Sequence, residues 1–322
     1  MADSIELPVV PGVVVRVFAH TLHPPAGPVA CFTYVTQGLS RFGQREIALT
    51  LARRPEEGLD RAPQSPLQLI APIASLAAQG RLVDAGGFTE VGPSGLFGRP
   101  RLRGLGYESA APMEGVDLPQ RCLQAVVLVE HELETAKGFG ALRVLARLGR
   151  SQCFYPTACW CDPDRPAVGA PETQSILGGV PRLGVPGVSA RLDGDRITVR
   201  IARAAQQAIA QALTSLPLEA ALALLTSLDD HADGCLVWEP GQSAPAAITP
   251  PGSAGRHLSG CFVLFVPQQP ADEGRLHEDG FALMLTDASS LRIRGAIGRG
   301  ESVVLAASGF SIAIEIEGLL AS

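Results

Sequence analysis

The sequence predicts an α+β protein with mixed or antiparallel sheets and a few packing helices, arranged either as two similar halves or as one continuous domain. Three features carry that prediction. Short apolar runs rich in β-branched and aromatic residues recur along the chain between turns that contain glycine and proline. Around Asp193-Gly194, Val188, Ala190 and Leu192 alternate on one side and Ile197, Val199 and Ile201 on the other, the pattern of a β-hairpin. Alanine- and leucine-rich stretches with helical spacing are fewer and fall between the strand-like runs. A chain of 322 residues can bury a large core, and a division into residues 1–185 and 186–322 is expected.

In chain order, residues 9–19 read as a first strand interrupted at Pro11-Gly12, with a turn over residues 20–28. Residues 31–57 organise the N-terminal half. Phe32, Tyr34 and Val35, and then Ile47, Leu49 and Leu51, form two short runs around Gly-Leu-Ser-Arg-Phe-Gly-Gln, a strand, loop, strand unit whose side chains are expected to pack inward. Ser65-Pro66 opens a helix with Leu67, Ile70, Ile73, Ala74 and Ala77 at helical spacing, ending at Gly80 and kinked at Pro72. The glycine-rich residues 86–106 are expected to form a long loop.

Residues 124–130 have the continuous apolar character of a buried central strand, whereas residues 142–148 fit a helix or a strand. Helices are expected near residues 202–213 and 218–228. Strands should follow at 235–238, 261–266, 281–286, 302–306 and 310–315, with the Pro/Ala/Ser-rich residues 240–256 as a mobile loop. Residues 261–265 and 278–286 echo residues 31–32 and 46–51, a likeness that either a duplicated unit or chance resemblance between short strand pairs would produce.

Composition narrows the function classes. With 46% hydrophobic residues, mean hydropathy +0.21 and no apolar run of spanning length, the chain is expected to be soluble, without a membrane span, and cytoplasmic. Acids and a proline near residue 1 do not match a signal peptide. A net charge of −6 offers no general attraction to nucleic acid, and none is expected as a partner. Seven scattered cysteines read as reduced, mostly buried thiols. Lys137 is the only lysine among many arginines, a bias typical of GC-rich bacterial coding.

Few groupings suggest chemistry. Cys153, Cys159 and Cys161 lack the paired Cys-x-x-Cys hooks that zinc favours, and a strand edge with small thiols is expected there. His20 and His23 sit beside Pro24-Pro25 and read as a solvated turn. Asp229, Asp230, His231 and Asp233 lack the alternating oxygens and closing glutamate of a calcium loop. His277, Glu278 and Asp279 are the place to look for an acid/base site, although no nucleophile accompanies them. Arg99, Arg101 and Arg103 could meet an acidic partner through forked hydrogen bonds. Residues 92–98 lack the Gly-Lys-Ser/Thr ending of a nucleotide loop, and the Gly-x-Ser-x-Gly elbow is absent. No catalytic residue, metal or cofactor is assigned.

From residue 29 onward the chain resembles the C-terminal domain of unknown function of Smad anchor for receptor activation and its relative endofin. The resemblance runs in order through Ala136-Lys137-Gly138-Phe139, Arg147-Leu148-Gly149, Tyr155-Pro156, Arg165-Pro166, residues 232–237, residues 259–265 and Glu278-Asp279-Gly280. Thr135 stands where that family has tryptophan. The resemblance implies an α+β interaction domain with no established catalytic residues, and it places Lys137 on the family's Ala-Lys as a candidate contact. The strand, Gly-Leu-Ser, strand pattern also resembles suppressor of fused domains, whose bacterial relatives include immunity proteins that bind toxins. The expected function is therefore a non-catalytic, scaffold- or adaptor-like protein-interaction module with Arg99, Arg101, Arg103 and Lys137 as binding candidates. The alternatives are a toxin-binding immunity protein and an enzyme with a site near His277, Glu278 and Asp279.

Overall fold

A computed structural model describes residues 4–169, 175–228, 233–239, 241–253, 257–308 and 310–317. Residues 4–161 build one mixed sheet from β1 (Ser4–Val10), β2 (Val13–Leu22), β3 (Val29–Gln37), β4 (Ile47–Ala52), β5 (Phe88–Glu90), β6 (Leu102–Ser109), β7 (Leu123–Val129) and β8 (Trp160–Cys161). Their order is β1-β2-β3-β4-β7-β6-β5, with β8 beside β4. Helix α1 (Ser65–Ala78) precedes β5, and α2 (Glu130–Phe139) and α3 (Ala141–Gln152) follow β7.

The hairpin of residues 31–57 forms as expected. Phe32 faces Leu51 and Tyr34 faces Leu49 across antiparallel β3 and β4, and these side chains are buried with Ile47 against Ile70, Ile73 and Ala74 of α1. The intervening loop is closed by Glu46, whose carboxylate accepts from Gly38 N (2.9 Å), Ser40 N (3.0 Å) and Thr36 Oγ1 (2.7 Å). Residues 9–19 are a hairpin rather than one broken strand, because Pro11-Gly12 reverses β1 onto β2. His20 is not in a solvated turn: β2 continues to Leu22 and carries it inside.

Residues 86–106 are not one long loop. β5 pairs with residues 104–106 in the middle of β6, and the glycines permit close packing instead of preventing it. A Cβ on Gly104 would lie 2.8 Å from Leu133 Cδ1 of α2 and 2.8 Å from Thr89 O. Gly104→Ala is therefore expected to destabilise the protein by about 1–3 kcal/mol through overpacking, read as a lower urea midpoint at unchanged m-value.

The second sheet uses β9 (Arg182–Asp193), β10 (Arg196–Ala202), β11 (Leu222–Ser227), β12 (Gly234–Val237), β13 (Ala246–Ile248), β14 (His257–Ser259), β15 (Phe262–Val266), β16 (Glu273–His277), β17 (Gly280–Met284), β18 (Val303–Ala306) and β19 (Ser311–Glu317). Its order is β13-β12-β14-β9-β11-β15-β17-β16, with β10 joining β9 to β19 and β18 on β19. Residues 185 and 186, the expected division, both lie within β9. Helices α4 (Arg203–Ser215) and α5 (Asp287–Arg299) cover it, with Ile209, Leu213, Ile293 and Ile297 in one core with Ile197, Val199, Val263, Phe281 and Ile314.

Two expectations fail here for the same reason. Residues 218–228 are not a helix: Leu222 to Leu225 pair with β15, and Ala223 to Leu225 also pair with β9, so ladder bonds on both sides override helix propensity. Within residues 240–256, β13 pairs with β12 through Ala246 to Ile248. The internal echo differs in direction, since β3 and β4 are antiparallel whereas β15 and β17 are parallel. The structure is α+β with two mixed sheets.

Candidate functional site

Helix α3 packs against the second sheet. Leu142 and Ala146 lie in an apolar cluster with Cys235, Val237, Ile248 and Cys261 of the second sheet. Beside this joint, a cleft of about 450 Å³ opens between the end of α2 (Ala136, Lys137, Gly138) with residues 85–88 and, on the far side, the start of β9 and the end of β11. Gly86 has φ +79°, and a Cβ there would lie 3.1 Å from Ser227 Cβ, so glycine sets how closely the walls approach.

The rim holds an unpaired strand edge. Tyr107 N donates to Gly87 O and Val91 N donates to Arg103 O, and with Thr89 opposite Leu105 these are the inward-bonding positions of β5. The backbone N–H and C=O groups of Phe88 and Glu90 therefore point outward, where no strand among the described residues pairs with them. The Phe88 side chain is 41% exposed beside them.

Lys137 lines this cleft, in the last turn of α2. Its ammonium contacts Glu134 and Glu90, each at 2.8 Å. Those hydrogen bonds raise the Lys137 pKa and, from the other side, lower that of Glu90. Of the expected arginines, Arg103 shares with Lys137 an electrostatic influence on Glu90. Arg99 pairs with Asp164 at 3.2 Å, Arg101 donates to Arg165 O at 2.8 Å, and Arg103 lies 3.8 Å from Glu130.

The acid/base candidate is a structural clasp. Glu278 and Asp279 form the two-residue turn between β16 and β17, with Glu278 at φ +51°. Arg143 of α3 reaches across to this turn. Its Nε donates to Asp279 Oδ2 at 2.9 Å and its Nη2 to Asp279 Oδ1, a forked pair, and Nη2 also donates to Glu278 Oε2 at 3.0 Å. Ser175 Oγ donates to Glu278 Oε2 at 2.7 Å, and Ile176 N donates to Oε1 at 2.6 Å.

Trp238 and Phe262 flank the guanidinium, each ring centre 5.4 Å from its carbon. Burial opposes the charge of Arg143, but the groups facing it, Asp279 foremost and Glu278 among them, together hold its pKa above the ordinary value. The acids are thus committed to one cation, while His277 is exposed. An equivalent fork joins Arg165 to Glu132 at 2.6 and 2.7 Å, with Val129 N and Val168 N donating to the same carboxylate.

The remaining candidates also separate. His20 Nε2 lies 2.7 Å from Thr33 Oγ1, and burial, followed by the nearby Arg53 charge, lowers its pKa to about 4; His23 is exposed. Cys159 and Cys161 are buried, and burial pushes each thiol up to about 12, whereas Cys153 is exposed. Asp229, Asp230 and His231 lie outside the described residues. Among the described residues no group of three or more His, Cys, Asp or Glu side chains could hold a metal ion, and no helix is long and apolar enough to cross a membrane.

Sequence reasoning missed α2, Arg143 and the cleft. Arg143 is 136 positions from Asp279, and no local spacing could have paired them.

No family model matches the chain, and no curated protein matches it. The resemblance to the Smad-anchor domain thus finds no support in these comparisons. Among solved structures, the crystal structure of Drosophila Suppressor of Fused aligns over 94% of this chain and 89% of that one, with a TM-score of 0.38 and 12% identity.

Proposed function

We propose that this chain is a non-catalytic protein-interaction module whose cleft takes an extended segment of a partner protein along the outer edge of β5. The observation that carries this reading is the outward backbone edge at Phe88 and Glu90, bordering a cavity large enough for side chains of an added strand. The saturated Arg143 and Arg165 clusters support it, because their acids are occupied in holding the fold. Main-chain bonds to the edge would supply affinity, and Phe88 and the Lys137 wall would supply selectivity.

Affinity capture from the native cell, with the full chain and two surface variants, tests the proposal. Phe88→Asp is expected to lose at least tenfold of the recovered partner. Val304→Asp, on an exposed residue of β18, is expected to keep it. Equal recovery with all three proteins, or loss only with Val304→Asp, would refute the β5 edge as the binding site.

A further inference from the structure

A second cavity, of about 210 Å³, lies between residues 21–23, residues 109–114 and residues 154–159, and the exposed lining residues His23, Pro112 and Glu114 mark its mouth. Its wall is largely apolar, with Leu22, Met113, Phe154 and Tyr155, and Trp160 braces the Phe154 ring edge-on at 5.2 Å between ring centres. Met113, Phe154 and Tyr155 are half-buried, so each keeps surface that a ligand can touch. Gln124 Oε1 and Thr157 Oγ1 are sealed beneath this wall and offer a ligand nothing.

The mouth carries a negative charge without a match. Glu114 is exposed, and its carboxylate has no hydrogen-bond or ion-pair partner among the described residues. No arginine or lysine stands in the described lining, where His23 is the only basic side chain. In an adjoining groove of about 600 Å³, the charge of Arg150 faces Glu239 at 3.6 Å. An anionic ligand would therefore meet repulsion at Glu114. A divalent metal takes several oxygens, more than this one carboxylate supplies. A protonated amine on an apolar body suits both parts of the cavity. Its ammonium can donate to the carboxylate and stay half in water at the mouth, which keeps the cost of desolvation small.

We propose that this cavity binds a small primary amine carried on an apolar ring or chain, with the ammonium at Glu114 and the apolar body against Met113 and Phe154. The site is separate from the β5 cleft and does not depend on it.

Calorimetric titration of the full chain at pH 7 and low ionic strength with benzylamine, benzyl alcohol and benzoate tests the proposal. Benzylamine is expected to bind saturably and about threefold tighter than benzyl alcohol, the gain of one partly exposed ion pair, with benzoate the weakest. Glu114→Gln should erase the preference for benzylamine, leave benzyl alcohol unchanged and strengthen benzoate. Glu219→Gln removes the same charge from an exposed residue outside the lining and should alter none of the three. Phe154→Leu should weaken benzylamine and benzyl alcohol alike. Both acids are exposed, so the glutamine variants keep the fold. Absence of benzylamine binding, equal binding of the three compounds, a preference that survives Glu114→Gln, or one lost equally with Glu219→Gln would overturn the proposal.

Discussion

Arg143→Ala is expected to lower the unfolding free energy by about 3–5 kcal/mol, the usual effect of stripping one partner from a buried ion pair. Arg143 has no exposed side-chain surface, and its two acids, Glu278 and Asp279, are 7% and 1% exposed. Without the guanidinium, both carboxylates stay buried beside α3 with only Ser175 Oγ and backbone donors around them. Arg143→Lys should recover only part of the loss, because a single ammonium cannot reproduce the fork to Asp279 and reach Glu278 together. Asp279→Asn and Arg143→Ala should be strongly non-additive in a double-mutant cycle by urea unfolding. A loss below about 1 kcal/mol for Arg143→Ala would show that the clasp contributes little to holding α3 on the β16–β17 turn.

Stability should fall by about 2 kcal/mol as pH rises from about 6.5 to 8.5, through the single side chain of Glu108. Glu108 on β6 is fully buried, accepting from Leu228 N, just beyond β11 of the second sheet, at 3.1 Å and from Ser109 N at 3.0 Å. Burial raises its pKa from 4.5 to about 8, and the two backbone donors and Arg45 only partly oppose this. In the unfolded chain this acid is already ionised at pH 6.5, whereas in the folded chain it still holds its proton. The folded state therefore binds the extra proton, and its advantage is lost as pH climbs through about 8.

His20 acts in the opposite direction and in a different window. Its pKa is lowered from 6.5 to about 4, so it removes stability mainly as pH falls below 6.5 and opposes the alkaline decline by only about 0.4 kcal/mol. Urea unfolding at three pH values between 6.5 and 8.5 should show the decline in the unsubstituted chain and a flat or slightly rising profile in Glu108→Gln. The slope is the readout, because glutamine matches the two backbone donors less well and lowers stability at every pH. An equally flat profile in the unsubstituted chain would place the Glu108 proton elsewhere.

What was legible in the sequence was whatever two or three neighbouring residues decide. The alternation of Phe32 and Tyr34, and of Leu49 and Leu51, gave the two strands and the inward faces of the β3–β4 hairpin, and Asp193-Gly194 gave the turn between β9 and β10. Pairing from a distance was not legible. The run Leu222 to Ser227 has good helix formers and becomes a strand because β15 and β9 flank it. Gly104 suggested a loop until Leu133 of α2 was seen to occupy the space a side chain would need. In the candidate site, Lys137 and the Glu278-Asp279 pair stood out in the sequence, but the meaning of each depends on residues far away: Glu90 for the first and Arg143 for the second.

The binding reading rests on the outer edge of β5, and a photo-crosslinker placed there tests it most directly. Benzoylphenylalanine in place of Phe88, expressed in the native cell, should crosslink one protein reproducibly, with the attachment mapping to an extended segment of that protein. The same group in place of Val304, on the exposed edge strand β18, should not. No crosslinked protein from position 88, or the same protein captured equally from position 304, would contradict the assignment of the cleft as the binding face.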